Sequence, residues 1–297
     1  MSMTQINWYP GHMKKTKDLI EENLKLIDVV LEIVDARIPL SSKNPNIASL
    51  SKNKKRIIVL NKSDLVSKQE LDKWKKYFKE QDFADEVVEM SAETGYNVKK
   101  LYEAIEFVSK ERKEKLLKKG LKKVSTRIIV LGIPNVGKSR LINRIVGKNS
   151  AAVGNKPGFT RGKQWVRIKE GIELLDTPGI LMPKFDNQEI GKKLSLIGSI
   201  KDDITPLDDV SLYLIELLKQ SYLENMNNLY KIDVTADDEN VFIMEKIADK
   251  RFKKIGGDYD YDSTIKLLIQ DFRTQKFGLI TLDNYNDMIN EEVSDEN

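Results

Sequence analysis

The sequence predicts an α/β protein: a mostly parallel sheet with helices on both faces, followed by a smaller all-α region. Three observations carry that reading. Short β-branched runs alternate with longer segments of helical period, several of the runs are apolar nearly throughout, and past about residue 184 the strand signal disappears while helical period continues. Strands apolar along their whole length suit a sheet buried on both sides. The 297 residues therefore divide into a sheet domain at 1–184 and a helical domain at 185–297.

The first strand is "DVVLEIVD" at 28–35 and the second "RIIVLNK" at 56–62. Next comes "SKQELDKWKKYFKEQ", in which Ser67 stands as N-cap with Glu70 three residues on, and Leu71, Trp74 and Phe78 fall on one face of an amphipathic helix. "EVVEMS" at 86–91 is the third strand. Residues 110–127, "KERKEKLLKKGLKKVSTR", hold nine Lys and Arg against two acids and read as a basic helix running into a short connector. "RIIVLGI" at 127–133 is the fourth strand and leads into another amphipathic helix, while "KQWVRI" at 163–168 and "IELLDT" at 172–177 complete the sheet. In the C-terminal region "PLDDVSLYLIELLKQ", "DDENVFIMEKIADKRFKK" and "DSTIKLLIQDFRTQKF" have helical period and suit a small bundle.

Composition narrows the function classes. With 40% hydrophobic and 32% charged residues and no apolar run near the roughly 18 residues of a membrane span, the chain reads as soluble. The start, "MSMTQINWYPGHMKK", lacks the apolar stretch of a secretory signal, and there is no cysteine for disulfides or thiolate metal sites; a cytoplasmic location is expected. The net charge of +4 hides a division: residues 1–201 carry 40 Lys and Arg against 24 Asp and Glu, and residues 202–297 carry 10 against 22. A basic body suits a polyanion, although charge alone does not separate that from a solvated lysine-rich face.

The chemistry lies in the loops after the strands. "GIPNVGKS" at 132–139 satisfies G-x-x-x-x-G-K-S between a β run and a helix. In such a loop backbone N–H groups close on phosphate oxygens and the helix N-terminus adds a favourable dipole. Asn135, Val136, Gly137, Lys138, Ser139 and Arg140 are thus nucleotide-contacting candidates, with Lys138 on the terminal phosphates and Ser139 on Mg²⁺. "LLDTPGI" at 174–180 offers Asp176 to the Mg²⁺ shell through water and the Gly179 N–H to the γ-phosphate, and Thr160 in "KPGFTRG" is the candidate switch threonine on Mg²⁺. In "NKSD" the Asp64 carboxylate can accept from guanine N1–H and the exocyclic amine, with Asn61 helping to hold the loop and meet the base, the Lys62 stem over the ring and Ser63 between them. Ser91 and Ala92 in "MSAETGYN" place backbone near guanine O6. The ligand so described is GTP or GDP with Mg²⁺.

The base loops precede the phosphate loop, the reverse of what a simple reading expects. In an open α/β sheet the site is gathered from the carboxyl ends of the strands, so its assembly does not depend on chain order. A cut just after "DTPG", with the old ends joined through the 110–127 segment, leaves the same loops converging.

With "NWYPGHMKK", "DVVLEIVDARIPLSSKNP", "NKSDL", "SAETG", "GIPNVGKS", "PGFTRG" and "DTPGIL" in this order, followed by a helical region, nearly the whole chain resembles the circularly permuted GTPases of ribosome assembly. The resemblance implies a cytoplasmic GTPase stimulated by the ribosomal particle. Its implied partners are the large-subunit precursor, rRNA and ribosomal proteins; separately, no membrane contact is expected from the lack of a long apolar run, and a monomeric state is expected. It also implies K⁺ at Asn135, a position that helps bind that ion in similar GTPases, unless the asparagine simply shapes the loop. The residue after D-x-x-G is Ile180, which cannot orient water; "PGHM" places His12 where similar proteins carry a histidine implicated in hydrolysis, with Gln188 or an external arginine as competitors. Alternative readings are a GTP-gated RNA or protein binding module with incidental hydrolysis, and a K⁺-dependent tRNA-modification GTPase.

Overall fold

A computed structural model describes residues 13–147, 152–153, 164–176, 187–254 and 256–285. The chain forms two compact units, one of Phe185–Leu282 and the other of Tyr9–Lys184 with the residues from Asp283.

Among the described residues the larger unit has seven strands: β1 (Val29–Asp35), β2 (Lys55–Asn61), β3 (Glu86–Glu89), β4 (Thr126–Leu131), β5 (Ala152–Val153), β6 (Gln164–Lys169) and β7 (Ile172–Asp176). Their order across the sheet is β3-β2-β1-β4-β7-β6-β5. The first five in that order run parallel, and β6 and β5 pair antiparallel at one edge. All six strands read from the sequence are present within a few residues, and the two-residue β5 is additional. The sequence gives no warning of a strand so short.

Among the described residues five helices accompany the sheet: α1 (Met13–Leu24), α2 (Pro45–Leu50), α3 (Lys68–Glu80), α4 (Val98–Lys118) and α5 (Lys138–Val146). The Ser67 Oγ accepts the Glu70 N–H at 3.3 Å and starts α3 as the N-cap pattern predicts. Trp74, Tyr77 and Phe78 of α3 bury against Val34, Ile58 and Leu60, and Ile20 and Leu24 of α1 bury with Ile47 of α2 against Val30, Ile129 and Leu131. Strand residues of opposite parity, Leu31, Ile33, Ile57 and Val59, are equally buried, so both faces of the sheet are covered. Glu32, in the middle of β1, is buried too; one carboxylate oxygen accepts the Asn44 N–H at 3.0 Å, and burial pushes its carboxyl above the ordinary glutamate range despite the charge of Lys43 nearby. The basic segment expected at 110–127 as a helix and connector comprises the second half of α4, a link over 119–125 and the first two residues of β4; the helix itself starts at Val98, where Leu101, Ile105 and Val108 supply its buried stripe.

The smaller unit contains α6 (Gln188–Leu196), α7 (Leu207–Ser221), α8 (Leu223–Tyr230), α9 (Asn240–Arg251) and α10 (Tyr261–Arg273). Leu214, Leu218, Met226, Ile247 and Leu268 lie in its core. Arg273 donates to the carbonyls of Leu196 and Ser195 and pairs with Asp202, and Tyr230 donates to Asp271 at 3.1 Å. Beyond Leu282 the chain belongs to the larger unit: Asp283 accepts hydrogen bonds from Leu40 and Ser41, and the Tyr285 ring packs edge-on against Trp74 and Tyr77. The helical region drawn at 185–297 thus gives up its described residues past Leu282, because a buried carboxylate and an aromatic ring hold them to the sheet domain. Among the described residues no helix is long and apolar enough to cross a membrane.

Candidate nucleotide-binding site

Four adjacent parallel strands, β3, β2, β1 and β4, end at one edge of the sheet, and the loops that follow β2, β3 and β4 carry the predicted chemistry. The phosphate loop runs from Gly132 to α5. Asn135 (φ 61°) and Gly137 (φ 100°) are both left-handed, which turns the backbone back on itself before Lys138. A Cβ on Gly137 would run into Asn61 Nδ2, and one on Gly132 would lie 2.6 Å from the Ile33 carbonyl. Only glycine fits at either place. Val136 is fully buried and anchors the turn, while Ser139 is exposed in the first turn of α5. The Lys138 Nζ donates to the Ile133 carbonyl at 2.8 Å, and burial pushes its pKa down to about 8. A cradle closed to side chains, a helix N-terminus and a poorly solvated lysine fit a polyphosphate, and the Ser139 hydroxyl fits Mg²⁺.

The base loops lock onto this cradle. Asn61 is buried; its Nδ2 donates to the Val136 carbonyl at 2.7 Å and its Oδ1 accepts the Ala92 N–H at 2.9 Å. One amide thus joins the phosphate loop to both base loops. Lys62, left-handed at φ 61°, donates to the Asn135 carbonyl at 2.9 Å. The Ser63 N–H donates to the Met90 carbonyl at 3.1 Å, and Asp64 stands exposed in the short turn Ser63–Leu65. Ser91 is buried, its Oγ accepting the Thr94 N–H at 3.1 Å. Arg140 pairs with Glu93 of the second base loop, so its side chain braces that loop. Arg144 donates to the carbonyls of Ala92 and Glu93 alongside it.

Asp35, at the tip of β1, has no place in the sequence reading and lies at the centre of the arrangement. It is buried, accepts from Arg37 Nε and Nη2 at 3.0 and 2.9 Å, and accepts from Lys62 Nζ at 2.7 Å. Burial alone would raise its pKa; Arg37 and Lys62 outweigh burial and hold the carboxyl well below the ordinary range. The available signal was an acid at the carboxyl end of a buried strand, with an arginine two residues on. His12, Thr160, Gly179 and Ile180 lie outside the described residues, as does the side chain of Asp176, whose backbone ends β7. Gln188, the competitor for His12, begins α6 in the smaller unit.

Phosphate and base loops gathered at one sheet edge, with the base loops first along the chain, define a circularly permuted P-loop GTPase. Residues 127–246 match the family described as 50S ribosome-binding GTPase, and residues 6–110 match the elongation factor Tu GTP binding domain. Ribosome biogenesis GTPase A of Bacillus licheniformis is 40% identical over 284 residues, which is 95% of this chain and 99% of that one. The protein of that name from Thermotoga maritima is 29% identical over 95% of this chain and 96% of its own. The crystal structure of GNP-bound YlqF from T. maritima superposes with a TM-score of 0.60 at 25% identity, covering 91% of this chain and 98% of that one. The chain belongs to the ribosome biogenesis GTPase A family and is a GTPase.

Proposed function

We propose that this GTPase is an assembly factor for the large ribosomal subunit, binding rRNA and ribosomal proteins of the precursor in its GTP state and leaving after hydrolysis. One observation carries the reading: the similarity to named ribosome biogenesis relatives runs almost end to end, and the nucleotide loops are intact within it. A net positive body over residues 1–201 supports an RNA partner, since phosphate neutralisation dominates such binding. In this reading GTP and GDP bind across Asn61 to Asp64, Ser91, Ala92 and the 132–140 loop, with the Gly179 N–H on the γ-phosphate. Ser139 and Thr160 hold Mg²⁺, Asp176 reaches it through water, Asn135 holds K⁺ and His12 positions the attacking water. The protein works as a cytoplasmic monomer in two domains, and the particle stimulates its turnover.

Sedimentation with large-subunit precursors in GTP, GDP and non-hydrolysable analogue, across a salt series, tests the reading. Association in the GTP and analogue states, weakening steeply with salt and accompanied by faster multiple-turnover hydrolysis, is the expected result. Association without any stimulation would favour a GTP-gated binding module, and association equal in all three states would overturn the proposal.

A further inference from the structure

We propose that Asp283 is a positioning residue of the nucleotide site, acting on Lys62 through the loop between Asp35 and Ser42. The proposal rests on the reading of the Lys62 loop as the guanine site.

The loop is closed by its own hydrogen bonds. The Ile38 N–H donates to the Asp35 carbonyl at 3.0 Å, the Ser42 N–H and Oγ donate to the Ile38 carbonyl at 2.9 and 2.6 Å, and the Asp35 N–H returns to the Ser42 Oγ at 3.0 Å. So short a ring of bonds has few ways to deform internally; a shift at one side carries to the other. On one side of it the Asp35 carboxylate holds Lys62 Nζ, which in turn holds the Asn135 carbonyl of the phosphate loop. On the other side the N–H groups of Leu40 and Ser41 both donate to Asp283 Oδ2 at 2.9 Å, and the Ser41 Oγ donates to Oδ1 at 2.6 Å.

Asp283 is 2% exposed, and a carboxylate that deep is costly unless its acceptors are filled. Three donors from two adjacent residues fill them and fix the loop in position and orientation. The contact reaches across 242 residues of sequence, from the segment that follows the helical unit to the loop that follows β1. The only charged side chains in the Asp35 pocket at hydrogen-bonding distance are Arg37 and Lys62, among the described residues. Arg37 travels with the loop; Lys62 does not, so displacement of the loop is felt at the Asp35 to Lys62 bond and then at the base. By linkage, whatever loosens Asp283 weakens nucleotide binding, and bound nucleotide tightens Asp283 by the same factor.

The test is the rate of fluorescent GDP release from the full-length protein and from Asp283→Ala, Ser41→Ala, Lys62→Met and the Asp283→Ala/Lys62→Met double variant. Asp283→Ala is expected to speed release by about fivefold or more, the lower end of ordinary coupling between sites. Ser41→Ala, which removes only the 2.6 Å bond, should do so to a smaller extent. In the Lys62→Met background Asp283→Ala should add nothing, because the relay has lost its last member; a general loosening of the fold would add its full effect. Wild-type release from Asp283→Ala beside fast release from Lys62→Met would overturn the relay alone, as would an undiminished effect in the double variant. If Asp283→Ala does not fold, Ser41→Ala decides in the same way. Wild-type release from Lys62→Met would overturn the placing of the base against Lys62 and the relay with it.

Discussion

Asn61 Nδ2 donates to the Val136 carbonyl at 2.7 Å, so a residue of the first base loop closes the phosphate loop from behind. Asn61→Ala strips a partner from the Val136 carbonyl and from the Ala92 N–H, each costing about 1–3 kcal/mol if it stays dry. Affinity for GTP and GDP should fall together by at least about tenfold, roughly 1.4 kcal/mol. Titration with fluorescent nucleotide at a temperature where the variant is folded checks this; a loss confined to one nucleotide would contradict a clamp on both loops.

Asp64 stands exposed in the middle of its three-residue turn, as a base-reading carboxylate must. Asp64→Asn is expected to move preference from GTP toward xanthosine triphosphate, since the amide can donate to the carbonyl that replaces the guanine amine. Discrimination of as much as about 10⁴-fold is within reach of such a site. Competition between the two triphosphates measures it, and unchanged GTP preference would remove Asp64 from the base.

Lys138 gives a pH dependence with two opposite signs. Its pKa falls from the ordinary 10.5 to about 8 on folding, so between these values the unfolded chain holds the extra proton and stability of the free protein rises with pH. Triphosphate binding needs the charged form and should weaken as pH rises through about 8. Denaturation and titration between pH 7 and 10, with Lys138→Met as control, should show both trends in the wild type and both reduced in the variant, where Lys43, also held below its ordinary pKa by burial, still contributes to stability. Triphosphate affinity that is flat across this range would contradict the assignment.

The strands were legible because burial on both faces demands continuous apolar, β-branched runs, and that demand is written locally. The same holds for α3, whose cap and stripe are within fifteen residues of each other. The helices α6 and α8 were not legible: Gly191 interrupts one and three asparagines dilute the other, and both owe their form to the core they join. In the site, residue types that meet phosphate or base could be named from spacing. What could not be named were the partners, since Asn61 is 75 residues from Val136 and the Arg140 to Glu93 pair is made only when α5 and the second base loop meet. The buried Asp35 belongs partly to the same class: Arg37 stands two residues on, but Lys62, 27 residues away, meets it only when β1 and β2 pair.

His12 falls outside the described residues, and its role is tested by kinetics. Ile180 cannot orient water, so hydrolysis needs a polar group from elsewhere. His12→Ala should keep GTP binding and particle association while lowering particle-stimulated turnover by at least about tenfold, or roughly 1.4 kcal/mol of barrier. Stimulated turnover within about twofold of wild type would transfer the role to Gln188 or to a group on the particle.

The strand order has a consequence while the chain is still being made. Residues up to the end of α4 supply β3, β2 and β1 side by side, but the other neighbour of β1 is β4, which starts only at Thr126. At about 5–20 residues per second, the far edge of β1 therefore waits several seconds for its partner after it leaves the ribosome. That edge reads Val-Val-Leu-Glu-Ile-Val, a sequence suited to pairing with another unfinished copy. Glu32 sits in the middle of it, and in an open, hydrated strand its carboxylate is charged. A charge at that point blunts pairing between nascent chains. The carboxyl that is a burden in the finished core is thus a guard on the edge before β4 arrives to cover it.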